Sequence, residues 1–259
     1  MTGIGLLAAG CGDNLAPDRL DDVSLPCPDE QMTFKLDRAD VSAVVAQEID
    51  LDGNDRPDNA LGRAHDLVAA LAPGFNTTDR FRGRLATDVA WTITLDRCKE
   101  DVRVTIAPTD TGLPHYPRAA GIVSPDGVLF AEDGTGQVPL LALADATGTN
   151  TNAGWRTGDA LTIRAKLDGD TLSGVFAMAL PTATVKADLA APIAEFLTTE
   201  PADNAMRIVA DANKDDVVTA EEVAATTTYG GMTQSDLSLV IDGEPQTSIA
   251  FRFHATARR

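Results

Sequence analysis

Residues 91–106 read Trp-Thr-Ile-Thr-Leu-Asp-Arg-Cys-Lys-Glu-Asp-Val-Arg-Val-Thr-Ile. Along an extended chain Trp91, Ile93 and Leu95 fall on one side, and Thr92, Thr94 and Asp96 on the other. After Lys99-Glu100-Asp101 the alternation resumes, with Val102, Val104 and Ile106 opposed to Arg103 and Thr105. Period-two alternation on both sides of a short polar turn is the pattern of an antiparallel hairpin with one buried face. Trp91 shares its face with Ile93 and Leu95, which places it in the core.

The same signal recurs outward from this hairpin. Strands are expected at 120–131 and 137–144, then at 161–167, where Leu161, Ile163, Ala165 and Leu167 alternate with Thr162, Arg164 and Lys166. A turn at Asp168-Gly169 leads to a partner strand from Thr171 to Leu180. A last pair is expected around Leu237, Leu239 and Ile241 and around Ile249, Phe251 and Phe253, with Arg252 and His254 on the polar face. Many short alternating strands with Gly, Pro and Asp turns predict a mainly β fold, an antiparallel β-sandwich. Helical spacing interrupts this twice. Asn59–Ala72 carries Leu61, Leu67, Val68 and Leu71 and stops at Pro73-Gly74, giving one additional N-terminal helix. The alanine-rich stretch Ala187–Thr228 is the second. Because strands flank it, residues 182–231 are expected to be a helical insertion within a single β-rich domain spanning 31–259.

The chain has 259 residues, 44% of them hydrophobic and 23% charged, a composition that can bury a core. Thirty-nine acidic residues against 21 basic ones give a net charge of -18, which repels phosphates and argues against a nucleic-acid partner. Cations are the natural partners of such a surface.

One stretch has the spacing a cation requires. From Asp211 to Glu222, oxygen-bearing side chains stand at positions 1, 3, 5, 9 and 12: Asp211, Asn213, Asp215, Thr219 and Glu222. Calcium takes about 6–8 oxygen ligands, which a loop coiling around the ion supplies at such intervals. The stretch resembles the EF-hand. That resemblance implies that Asp211, Asn213 and Asp215 ligate through side chains, Val217 through its carbonyl, Thr219 directly or through water, and Glu222 as a closing bidentate carboxylate. It also implies that Val218 packs into the core. The sixth position holds Asp216 where the family has glycine for the sharp turn; Asp adopts that left-handed conformation better than most residues, so weakened binding is expected. Thr219 and Glu222 also form a capping box, so the alternative is an acidic loop preceding a capped helix.

A second stretch, Asp50-Leu-Asp-Gly-Asn-Asp-Arg-Pro-Asp-Asn59, again places oxygens at positions 1, 3, 5 and 9, namely Asp50, Asp52, Asn54 and Asp58. It resembles the acidic calcium loops of secreted repeat proteins, taken here over residues 50–61. The twelfth residue is Leu61, so the remaining ligand must come from elsewhere or be supplied by Asp58 and water. The alternative is a solvated Asx turn capping the helix that begins near Asn59.

The N-terminus reads as the tail of a signal peptide, residues 1–10, followed by an acidic, Pro-rich tether over 11–30. Leu7-Ala-Ala-Gly-Cys11 resembles the lipobox of bacterial lipoproteins, which implies a diacylglyceryl anchor on Cys11 and a place in the bacterial cell envelope, with the membrane met through the lipid alone. In an exported protein, Cys27 and Cys98 then remain as an even pair and are expected to form a disulfide; two unrelated buried thiols are the other reading. With only three histidines and no nucleophile, zinc or phosphate-loop motif, no enzymatic activity is expected. The expected function is an exported, lipid-anchored calcium-binding protein with a structural or binding role. A surface adhesin or glycan- or protein-binding module is the alternative, with a carboxylate-based hydrolase behind it.

Overall fold

The computed structural model of the protein describes residues 30–41, 49–71, 91–108, 118–139 and 155–258. Cys11, Cys27 and the whole N-terminal stretch up to residue 29 lie outside the described residues.

Eight strands run in a single antiparallel sheet: β1 (Glu30–Asp40), β2 (Trp91–Cys98), β3 (Asp101–Pro108), β4 (Ala119–Val123), β5 (Val128–Pro139), β6 (Trp155–Asp168), β7 (Thr171–Pro181) and β9 (Glu244–Ala257). Each pairs with the next, and β9 pairs with both β7 and β1. The sheet therefore closes into a barrel, with the two-residue strand β8 (Val240–Ile241) hairpinned onto the start of β9. The fold is mainly antiparallel β. The expected division into two stacked sheets is replaced by one closed sheet, because alternation reports only that a strand has one buried face. That is equally true of a sandwich and of a barrel wall; the β1–β9 pairing that distinguishes them is invisible to local periodicity.

Eight strands enclose just enough room for side chains. Here the interior is filled with aromatic rings. Phe176 and Phe251 stack at 5.1 Å, and Trp91 meets them edge-on at 5.4 and 5.3 Å. Phe34, Ile93, Leu95, Ile106, Leu129 and Ile163 complete the packing, all essentially without exposure. The Trp91 indole N–H donates to the Gln137 carbonyl at 2.9 Å, so the ring is buried without an orphaned donor.

β1 was not anticipated, although Met32, Phe34 and Leu36 alternate with Thr33 and Lys35. Its pattern breaks at Asp37, where a bulge shifts the register with β9 between Leu36 and Arg38. Glu30, assigned above to the tether, is its first residue and pairs with Arg97.

β7 from Val175 to Leu180 and β9 from Gln246 to Phe251 are buried on both faces. Outside the barrel, Val175, Ala177 and Ala250 are covered by Ile49, with Leu51 packed beside it. This explains the nearly unbroken apolar run of β7, a pattern reserved for strands without a wet side.

Between β7 and β8 the chain carries four helices, α2 (Thr182–Thr199), α3 (Ala205–Ala210), α4 (Ala220–Ala225) and α5 (Thr227–Met232), preceded in the chain by α1 (Ala60–Leu71). α2 buries Val185, Leu189, Ile193, Phe196 and Leu197 at intervals of three and four, a single stripe. That stripe joins the barrel core and also meets Met206, Val223 and Tyr229. Arg156 on β6 grips Asp188 on α2 with two hydrogen bonds, one of them 2.8 Å long. Among the described residues no helix is long and apolar enough to cross a membrane.

Candidate metal centre

The loop from Asp211 to Glu222 lies between α3 and α4, each only six residues long. Asn204 caps α3 by accepting from the amides of Met206 and Arg207, and Thr219 opens α4 with the complete capping box shared with Glu222. Between them the chain turns through two left-handed residues, Lys214 at φ 60° and Asp216 at φ 66°. The turn conformation is thus adopted without glycine. Asp211 accepts the amides of Asp215 (3.2 Å) and Asp216 (3.1 Å), Asn213 Oδ1 accepts Asp215 N (2.9 Å), and Asp215 Oδ1 accepts Val217 N (2.9 Å). Glu222 accepts from both the amide and the hydroxyl of Thr219 at 3.0 Å. These bonds, with a further one from the Asn213 amide, hold the Glu222 carboxyl below its ordinary range and place it across the loop. Val218 is buried, and its amide and carbonyl both bond the Thr198 hydroxyl of α2 at 3.1 and 3.3 Å. Val217 points its side chain to solvent, 51% exposed.

The first seven residues of the loop from Asp50 repeat this geometry. Its left-handed residues are Gly53 (φ 70°) and Asp55 (φ 63°), again positions 4 and 6. Asp50 accepts the amides of Asn54 (3.2 Å) and Asp55 (2.8 Å), Asp52 Oδ1 accepts Asn54 N (3.3 Å), and Asn54 Oδ1 accepts Arg56 N (2.9 Å). The four bonds have the same sequence offsets as those made by Asp211, Asn213 and Asp215. A helix follows in both cases. The difference lies at the end: Asp58, in the ninth position, turns inward and accepts Leu51 N at 2.7 Å.

Asp50, Asp52 and Asp58 each offer an oxygen within 4.8 Å of the others. Two ligands bound at roughly 2.4 Å to one calcium-sized ion cannot be more than about 4.8 Å apart, so the three can hold a metal ion together. Among the described residues no second group of three or more His, Cys, Asp or Glu side chains meets that condition, the carboxylates of Asp211, Asp215 and Glu222 included.

The electrostatics of the three differ. Asp58 is 2% exposed, and its pKa is pushed up to about 6 by burial, then by the negative charges of Asp52, Asp236 and Asp50, against the lowering effect of the Leu51 amide. Partial burial acts to raise Asp52 as well, but hydrogen bonds from Ser238 and Asn54 outweigh it and leave Asp52 below the usual carboxylate range. The Ser238 contacts are short: its amide and hydroxyl both donate to Asp52 Oδ2, at 2.7 and 2.8 Å.

Ser238 escaped the sequence reading because nothing local marks it; it lies 186 positions from Asp52. Asn59, the residue after Asp58, is fully buried, and its Oδ1 accepts both Gly62 N at the start of α1 and Ala250 N of β9. Cys98 is buried and disulfide-bonded; its partner lies outside the described residues, where the remaining two cysteines are. The chain matches no protein family, no curated protein and no solved structure.

Proposed function

We propose that this is an exported, lipid-anchored calcium-binding protein in which calcium has a structural role, holding the loop at Asp50 and the EF-hand-like loop at Asp211 against the barrel. The observation that supports it is the duplication of one loop geometry at two distant places in the chain, with oxygen-bearing side chains at the same positions and left-handed turns at the same two residues. Hard oxygen ligands without nitrogen or sulfur favour calcium over transition metals, and a flexible loop favours it over magnesium. Clustered carboxylates repel one another, and a divalent cation removes that repulsion while fixing the loop. The expected consequence is stabilisation: at about 100 times its dissociation constant, one ion adds roughly 2.7 kcal/mol. The anchoring part of the reading rests on the residues before Cys11, and the absence of catalytic motifs supports a binding role without enzymatic activity.

Calorimetric titration of the folded chain tests the metal assignment. Two calcium sites are expected, with affinities on the order of 10⁻⁵ to 10⁻³ M. Glu222→Gln should abolish the heat of one and Asp52→Asn that of the other. A titration without heat, or heats that neither variant changes, would refute it.

A further inference from the structure

Among the described residues the barrel wall has a gap along the start of β9, and side chains fill it. The inner side of β9 pairs with β7 throughout, from Thr171↔Thr256 to Pro181↔Gln246. On the other side, β1 pairs with β9 only from Ala257 back to Arg252, where Asp40 is its last partner. From Gln246 to Ala250 the amides on that side of β9 meet no strand among the described residues. Each is bonded nonetheless: Gln246 N donates to the Leu239 carbonyl at 3.2 Å, Ser248 N to Asp236 Oδ1 at 3.0 Å, and Ala250 N to Asn59 Oδ1 at 3.1 Å. The Ser248 hydroxyl adds a 2.6 Å bond to Asp236 and accepts Ala60 N at 2.9 Å. The Ser235 hydroxyl donates to the Gln246 carbonyl. An irregular strap, residues 234–239, and one asparagine therefore stand in for a ninth wall strand and satisfy an edge that would otherwise be open.

Both parts of this seal are mechanically joined to the Asp50 loop. Asn59 is covalently next to Asp58. The strap is tied through Ser238, whose amide and hydroxyl both grip Asp52 Oδ2. Asp236 of the strap is close enough to Asp58 for their charges to interact unfavourably, and Arg63 makes a 2.8 Å ion pair with Asp236. A cation among Asp50, Asp52 and Asp58 would fix both attachment points and cancel the repulsion between loop and strap.

We propose that the strap is a latch over the open edge of β9, locked by a cation in the Asp50 loop through the positioning residue Ser238. This rests on the calcium reading of that loop and adds that its occupancy controls how firmly one edge of the barrel is covered. An unlatched edge presents a row of unpaired amides, the template that extended peptide segments use to add a strand.

Amide hydrogen exchange, read residue by residue on the folded chain carrying Glu222→Gln to silence the other loop, provides the test. Ser248 and Ala250 report the latch. Ile249 and Phe251, whose amides face β7, report global opening. Saturating calcium should slow exchange at Ser248 and Ala250 at least tenfold more than at Ile249 and Phe251. Ser238→Ala, measured at its own saturating calcium concentration, should lose this selectivity, and Ser238→Thr should restore it. Equal slowing of both amide sets in the parent chain, or undiminished selectivity in Ser238→Ala, overturns the latch. Absence of calcium heat in the Glu222→Gln parent instead overturns the metal reading of the Asp50 loop, and the locking with it.

Discussion

Asp58 concentrates the chemistry of the Asp50 loop. It is the most buried carboxylate of the three, and its charge is opposed by burial and by three neighbouring acids. A carboxyl whose folded-state pKa of about 6 exceeds its unfolded value contributes stability only when protonated. That contribution is complete below the unfolded value near 3.8 and is lost as pH rises through 6. In the presence of a chelator, the thermal midpoint should therefore rise as pH falls from 7 to 5. Asp58→Asn, a neutral isostere, should flatten this slope and raise the midpoint at pH 7 by a few degrees. With calcium present the trend should reverse, because protons compete with the ion for the same oxygen. A chelated protein whose midpoint is unchanged or falls between pH 7 and 5 would contradict the assignment of Asp58 as a strained buried acid. The sequence marked Asp58 as a ligand from its ninth position in the loop. Its burial was not readable there, since it depends on Ile49 and Leu51 lying against β7 and β9.

At the scale of elements, β2, β3 and β6 were readable because one face of each stays wet, whereas β1, equally wet on one face, was missed because its alternation breaks at Asp37. β4 and β5 run together in the sequence as 120–131, and only the turn at Pro125-Asp126, closed by the 2.9 Å bond from Ser124 N to the Val128 carbonyl, separates them. The strand expected at Leu237–Ile241 shortens to Val240–Ile241, because the preceding strap bonds β9 largely through side chains and lacks a ladder. α1 was placed within a residue or so by its apolar spacing, yet its docking depends on a contact the pattern does not show. A Cβ built on Gly62 would lie 2.0 Å from Asn59 Nδ2 and 2.5 Å from the Val41 carbonyl. Gly62 therefore lets α1 approach the end of β1 while Asn59 reaches β9. Helix propensity alone favours Ala over Gly by roughly 1 kcal/mol. The close approach reverses that preference, and Gly62→Ala is expected to destabilise by about 1–3 kcal/mol, as overpacking does. It should also speed amide exchange at Ala250, whose acceptor is displaced. Chemical denaturation of the variant checks the first point, and a stabilised Gly62→Ala would show that the helix has room to move.

The whole molecule joins a barrel that closes on itself, a helical layer sharing its core and two acidic loops outside the wall. The ring is completed by β1, the first of the described strands, through its pairings with β2 and β9. If β1 frays, both neighbours lose a partner. The disulfide at Cys98 bears on this point. Cys98 ends β2, one residue beyond Arg97, which pairs with Glu30 at the start of β1. Cys27 precedes Glu30 by three residues, a reach of about 10 Å, whereas Cys11 is nineteen residues away. A bridge requires Cα atoms roughly 4.4–6.8 Å apart, a separation that a three-residue connection has the length to reach. Cys27 is therefore the expected partner. Closing a loop of about 70 residues is assigned roughly 4 kcal/mol by the chain-entropy model, and strain or residual structure in the unfolded chain lowers the realised value. Peptide mapping of unreduced exported protein should recover Cys27 linked to Cys98, and Cys27→Ser should lower the thermal midpoint while speeding amide exchange in β1 more than in β6. A Cys11–Cys98 peptide would reverse the assignment of the two N-terminal cysteines and remove the thiol on which the proposed lipid anchor depends.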